Sequence, residues 1–187
     1  MPDLARIKER ALACKKCSLS ETRTQVVWGS GPLDAAVVFV GEAPGKNEDL
    51  GGEPFVGAAG KILDEFLSAA DLSRDDVYIA NTVKCRPPNN RNPLPEELSA
   101  CSSYLVAQLV FIRPVIVVAL GRFAVHALLA STPLATTTMK DVHGKLINMG
   151  QFKMLPVYHP AATIYNPRMR EPFFEAAAIL KQALDRT

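Results

Sequence analysis

Ala35-Ala-Val-Val-Phe-Val-Gly-Glu-Ala-Pro-Gly45 reads as a strand that empties into a turn of small residues. The run from Ala35 to Val40 is apolar without alternation and too short for a helix, so it is a strand covered on both faces. Comparable runs recur at Val77–Thr82, Val115–Leu120 and Met154–Tyr158. Helical patterns separate them: Ala58–Ala70, ended by Asp71; Pro95–Phe111, opened by the acidic pair Glu96 and Glu97; and Arg122–Ala130. Further helices are predicted from about Asp3 to Ala13 and from about Pro172 to Leu184. Strands alternating with helices predict an α/β fold, a three-layer αβα arrangement around a central four-stranded parallel sheet.

A chain of 187 residues, 48% apolar and 21% charged, suits one domain spanning residues 1–187 and excludes a disordered or rod-like chain. Met1 to Lys16 alternates charged and aliphatic residues, unlike a secretion signal, and the longest apolar runs are strand-length. A cytoplasmic protein without a membrane span is therefore expected. Proline, at 14 residues, is the compositional outlier. The net charge of +2 conceals a segregation: residues 34–79 carry ten acidic and three basic side chains, whereas residues 80–170 carry ten basic and three acidic. Clustering of this kind, rather than total charge, marks nucleic-acid partners, although solvated faces of an ordinary surface can show it too.

The cysteines fall as Cys14-x2-Cys17 and as the wider pair Cys85 and Cys101, on either side of a proline-rich stretch from Pro87 to Pro95 that should turn without helix. In a reducing compartment four thiols are better explained as metal ligands than as disulfides. The first pair suits either a tetrahedral zinc or an iron–sulfur cluster, and the wide second interval inclines toward the cluster. Its role would be structural, tying the N-terminal segment to the region between Lys84 and Cys101.

In parallel sheets ligands collect at the carboxyl ends of the strands. There stand Gly41-Glu-Ala-Pro-Gly45, Asn81 with Lys84-Cys-Arg-Pro-Pro88, and His159-Pro-Ala-Ala162, so Glu42, Asn81 and His159 should converge. Gly51 to Lys61 invites a phosphate-loop reading and fails it, because Phe55 stands where a glycine is required and Ile62 where a hydroxyl is required. Phe55 instead lies on a loop beside the strand ends, as core or as a stacking platform. The set suits a flat heterocycle bearing carbonyls and an N–H. An amide such as Asn81 donates to a ring carbonyl while accepting from the adjacent N–H, an aromatic face stacks the ring, and a histidine stabilises charge developing on a second carbonyl. Whether Glu48 and Asp49 serve this pocket or cap the next segment is open in the sequence.

Gly41-Glu-Ala-Pro-Gly45, Gly52-Glu-Pro-Phe-Val-Gly-x-Ala-Gly60, Asn81-x-x-Lys-Cys-Arg-Pro-Pro88 and His159-Pro-Ala-Ala162, together with the four cysteines, resemble the family 4 uracil-DNA glycosylases, the iron–sulfur type of bacteria and archaea. The likeness runs from Cys14 to Ala162. It implies a 4Fe-4S cluster on Cys14, Cys17, Cys85 and Cys101. It also implies that Asn81 reads the uracil edge, Phe55 stacks on the base, and His159 contacts a carbonyl and stabilises the leaving anion. Gly41, Glu42 and Ala43 would line the pocket and face the sugar. In related glycosylases a carboxylate one position later activates water; that position is Ala43 here, which leaves Glu42 as the nearest carboxylate.

The implied reaction is hydrolysis of the N-glycosidic bond of deoxyuridine in DNA, the opening step of base excision repair, after the base leaves the stack. The implied partner is uracil-containing DNA, single- or double-stranded, acted on by a monomer. For the strand itself, the stretch from Ala161 to Arg170 reads as an exposed basic loop with Ile164, Tyr165 and Met169 as wedges and Arg168 and Arg170 for phosphates. Arg86, with Lys84 and Arg91, would track the backbone beside the cluster. Rival readings are a relative that captures the abasic sugar covalently, a glycosylase of broader base specificity, and a metal-stapled DNA-binding module without catalysis.

Overall fold

A computed structural model describes residues 3–130 and 132–186; the expected domain bounds, Met1 and Thr187, lie outside them. Asp3 opens the first helix, α1 (Leu4–Leu12), by accepting a hydrogen bond from the Ala5 amide, which satisfies one of the free donors at a helix start. A single turn, α2 (Leu19–Thr22), follows the first cysteine pair. Then come β1 (Val37–Gly41), α3 (Lys46–Gly51), α4 (Ala58–Ala69), β2 (Val77–Asn81), α5 (Pro95–Ile112), β3 (Ile116–Leu120) and α6 (Arg122–Leu129). The chain closes with α7 (Met139–Val142), β4 (Ile147–Asn148), β5 (Lys153–Val157), α8 (Pro160–Tyr165) and α9 (Arg170–Leu184).

The strands lie in the order β2-β1-β3-β5-β4. β1, β2, β3 and β5 are parallel, as the four apolar runs predict, and every residue of the first three is buried. The fifth strand was not expected: two-residue β4 pairs antiparallel with β5 at the edge and is too short to leave an apolar signature. Along β1, Val37 and Phe39 face α4 and α9, while Val38 and Val40 face the layer of α5 and α6. Phe39, Phe66 and Phe173 interlock between the sheet and the first layer, with ring centroids 5.9 Å and 5.0 Å apart. A third cluster packs Leu4, Leu19, Trp28 and Tyr104 around Cys85 and Cys101, which is how the N-terminal segment joins the body. No helix among the described residues is long and apolar enough to cross a membrane.

Three stretches depart from expectation. Pro88–Asn90 forms a 3-10 turn in which Asn89 and Asn90 both take positive φ, so the proline-rich loop is not free of helix. The expected loop from Ala161 to Arg170 is mostly helical, because Pro160 at the first position of α8 supplies a fixed φ where no amide donor is needed. Likewise α9 starts at Arg170, ahead of Pro172, since proline is tolerated within a first helical turn.

Candidate active site and cysteine pocket

The carboxyl ends of β1, β2 and β5 open on one cavity of about 520 Å³, lined among others by Glu42, Ala43, Phe55, Asn81 and His159. All the expected pocket residues therefore meet, with Gly41 directly behind them. Glycine is required there: a Cβ on residue 41 would lie 2.4 Å from Asn81 Oδ1 and 2.6 Å from Phe55 Cζ. The turn after β1 is fastened to the segment after β2 by Thr82 N to Gly41 O at 2.9 Å and Thr82 Oγ1 to Glu42 O at 2.5 Å.

Asn81 is 2% exposed, and its Oδ1 is the one buried side-chain polar atom without a hydrogen-bond partner among the described residues. Leaving such an atom unsatisfied costs about 1–3 kcal/mol, a cost that a ligand N–H in the cavity would remove. Phe55 is 5% exposed, so it is both core and cavity wall. Its ring stacks on His159 with centroids 5.8 Å apart and planes at 29°. His159 caps α8, and its Nδ1 accepts from the Ala161 amide at 3.2 Å. That bond fixes the tautomer: Nδ1 is the acceptor, so the neutral ring carries its proton on Nε2. Burial pulls the imidazole down to about 4, against a smaller upward pull from Glu48, so the ring is neutral near pH 7. Glu42 shifts the other way: burial raises its carboxyl, partly offset by the Arg122 guanidinium.

Glu48 does both things the sequence left open. It lines the cavity, and its Oε1 accepts from the Val56 and Gly57 amides at 3.0 and 2.9 Å, holding the loop that carries Phe55. Asp49 serves structure alone, accepting from Thr24 N. Arg122 gave no sequence signal, because a guanidinium opening a helix after a strand is commonplace.

The cavity rim carries Arg91, Ile164 and Tyr165. Tyr165 is 87% exposed, whereas Met169 is half-buried and does not line the cavity. Among the expected phosphate contacts, Arg168 is exposed and its guanidinium has no partner among the described residues, Arg170 pairs with Glu65 and lies over Phe174, and Arg86 donates to Asn90 Oδ1. Arg91 is held by the buried Glu97 through two hydrogen bonds, of 2.9 and 2.6 Å. Lys84 corrects the expectation outright: it is 1% exposed, inside the core, and unable to reach DNA.

All four cysteines are free thiols, and together they line a second, narrow pocket with Arg23, Lys84 and Tyr104. Arg23 donates to Cys85 Sγ at 3.1 Å and the Lys84 amide to Cys101 Sγ at 3.3 Å. Burial pushes the Cys101 thiol up to about 11 and raises Cys85, so a metal must displace protons to bind here. Among the described residues, no group of three or more His, Cys, Asp or Glu side chains is arranged to hold a metal ion. An all-thiol donor set converging from three chain segments, with donors already aimed at two sulfurs, fits an iron–sulfur cluster.

Residues 28–181 match the profile of the Uracil DNA glycosylase superfamily. The chain belongs to that superfamily, among its type-4 members. The Type-4 uracil-DNA glycosylase of Archaeoglobus fulgidus is 49% identical over 177 residues, covering 92% of this chain and 89% of that protein. Proteins of the same description from Sulfurisphaera tokodaii and Saccharolobus solfataricus are 45% and 43% identical, covering 91% and 98% of this chain and 80% and 88% of theirs. Family membership accounts for the order of motifs along the chain and for the αβα architecture that gathers them at one end of the sheet.

Proposed function

We propose that this protein is a DNA N-glycosylase that hydrolyses the bond between uracil and deoxyribose, releasing uracil and leaving an abasic site for base excision repair. The observation that carries the reading is the unpartnered Oδ1 of Asn81, buried in a cavity walled by Phe55 and His159. Uracil offers a ring N–H for that oxygen and an adjacent carbonyl for the Asn81 amide nitrogen, whereas cytosine reverses the pattern.

The chemistry follows from charge. As the bond between C1′ and N1 breaks, its electron pair moves onto the base, and positive charge develops on the sugar. His159, neutral and with its proton on Nε2, donates to the oxygen where the negative charge gathers. Glu42 faces the sugar from the turn after β1, where its carboxylate form is opposite in charge to the cation and positioned to accept a proton from the attacking water, and the Arg122 guanidinium favours that form against burial. Phe55 stacks on the base, and Gly41 and Ala43 leave room for the sugar. Tyr165 and Ile164 at the rim occupy the place in the duplex that the extruded base vacates, and Arg168, Arg86 and Arg170 track phosphates.

Cys14, Cys17, Cys85 and Cys101 would hold a 4Fe-4S cluster, which when bound would supply a covalent cross-link between the N-terminal segment, the exit of β2 and α5. In this reading residues 1–187 form one domain that works as a cytoplasmic monomer. The test is incubation with a uracil-containing single strand, and with the matching cytosine strand, followed by alkali. Cleavage at uracil alone is expected. Absence of cleavage by protein with intact visible cluster absorbance overturns the reading, and a protein–DNA adduct that survives denaturation replaces it with covalent capture.

A further inference from the structure

Phe55 holds its ring in the cavity from a backbone with φ of +55°, a left-handed conformation uncommon for a bulky residue. Side chains outside the cavity hold it there. Arg74 donates through Nη2 to the Phe55 carbonyl at 2.5 Å and through Nη1 to the Pro54 carbonyl at 3.3 Å, while its Nε donates to Asp64 Oδ1 at 2.6 Å. Gly60 supplies the clearance: a Cβ there would stand 1.8 Å from the Phe55 carbonyl oxygen. Arg74 belongs to a 3-10 turn just before β2, closed by Ser73 N and Oγ donating to Asp76 Oδ2 at 2.8 and 2.7 Å. We propose that Arg74 is the positioning residue for the stacking platform: its three-way fork transfers the rigidity of α4 and the β2 entrance to the Phe55 ring and so sets the grip on the base.

This inference rests on the uracil reading above and deepens it. Arg74 lies outside the cavity lining and can act only through Phe55. The Arg74–Asp64 pair is 34% and 51% exposed, and ion pairs that accessible contribute little to global stability. Its loss should therefore be felt at the ring rather than in the melting temperature. Lysine keeps the charge but cannot reproduce a planar fork reaching three acceptors.

Arg74→Gln, Arg74→Lys and Gly60→Ala are to be compared with the unaltered protein in three measurements: excision on a uracil single strand, inhibition by free uracil, and the His159 ring resonances in NMR spectra. Arg74→Gln should weaken inhibition by free uracil and raise KM, each about tenfold, with kcat changed much less. Arg74→Lys should recover only part of that loss, and Gly60→Ala should reproduce it with Arg74 intact. The His159 ring resonances should shift in Arg74→Gln and Gly60→Ala, because the stacked Phe55 ring moves. Unchanged uracil inhibition together with unchanged His159 resonances overturns the proposal, as does full recovery by Arg74→Lys. Should the unaltered protein fail to release uracil, the functional reading falls, while the His159 resonances still decide whether Arg74 braces Phe55.

Discussion

Asn81 and Lys84 stand three residues apart at the exit of β2, both buried, and their polar atoms are treated in opposite ways. Lys84 Nζ donates to the Asn81 carbonyl at 2.9 Å and to Gln108 Oε1 at 2.6 Å, and it lies 5.6 Å from the Trp28 ring centroid. Gln108 in turn donates to Trp28 O and to the Tyr78 hydroxyl. Burial still pulls the ammonium down to about 8, but its hydrogen bonds are made within the core. Asn81 is as deeply buried but borders the cavity, and it keeps one acceptor without a partner among the described residues. Burial and motif position do not distinguish the two; satisfaction does. A buried polar group whose bonds are complete is architecture, and one left open beside a cavity is kept for a ligand.

The sharpest way to break this contrast is to exchange chemistry at each site. Asn81→Asp retains an acceptor for the ring N–H and loses the donor to the carbonyl. Excision of uracil should fall roughly a hundred- to a thousandfold in kcat/KM, out of proportion to any fall in the thermal midpoint that the buried carboxylate brings. Retained activity and selectivity would remove Asn81 from the reading of the base. Lys84→Met should do the reverse. It leaves Gln108 and the Asn81 carbonyl short of a donor, so chemical denaturation should show a loss of about 2–3 kcal/mol with unchanged slope. A Lys84→Met protein of full stability but weakened DNA affinity would return Lys84 to the DNA surface.

Much of the site was legible because parallel strands carry a fixed polarity: Glu42, Asn81 and His159 each stand at the carboxyl end of an apolar run, and all three line one cavity. What escaped reading has a physical cause in each case. The left-handed turn at Phe55 depends on acceptors and donors from Glu48, Asp64 and Arg74, which are distant in sequence. Helices α2, α3, α7 and α8 are four to six residues long, too short for periodicity to register, though the His159-Pro160 pair is a usable helix-start signal. The basic segment overstated its free charge, because Lys84 is in the core, Arg91 is bound to Glu97 and Arg170 to Glu65.

The pocket's two titrating groups give a smaller, sharper test of how completely burial controls it. His159 should stay neutral through the ordinary histidine range, so its ring resonances should show no titration at pH 6.5 and it should add no limb to the pH profile of kcat/KM there. The acid limb should instead fall about tenfold per pH unit below the raised value of Glu42, which lies above 4.5. His159 ring resonances that titrate near 6.5 would mean that burial does not hold the imidazole neutral. Stability carries opposite signs for the two groups. With its pKa depressed, His159 supports the fold fully above the unfolded value of 6.5, and that support is lost as pH falls toward 4. Glu42, with its pKa raised, supports the fold when protonated and loses that contribution as pH rises through its folded value, so Glu42→Gln should raise the thermal midpoint at pH 7 while slowing excision.

The smallest effect extends the satisfied-versus-open criterion to the surface. The guanidinium of Arg168 has no partner among the described residues, whereas that of Arg170 is committed to Glu65 and Phe174. A phosphate can recruit Arg168 without breaking an existing pair, but it must compete with a carboxylate for Arg170. Arg168→Ala should therefore lower the slope of log affinity against log salt by about 0.7 on a single strand, the share of one phosphate contact. Arg170→Ala should lower it by less. Equal slopes for the two variants would show that an exposed ion pair yields readily to DNA, and would confine the criterion to the buried groups at the end of β2.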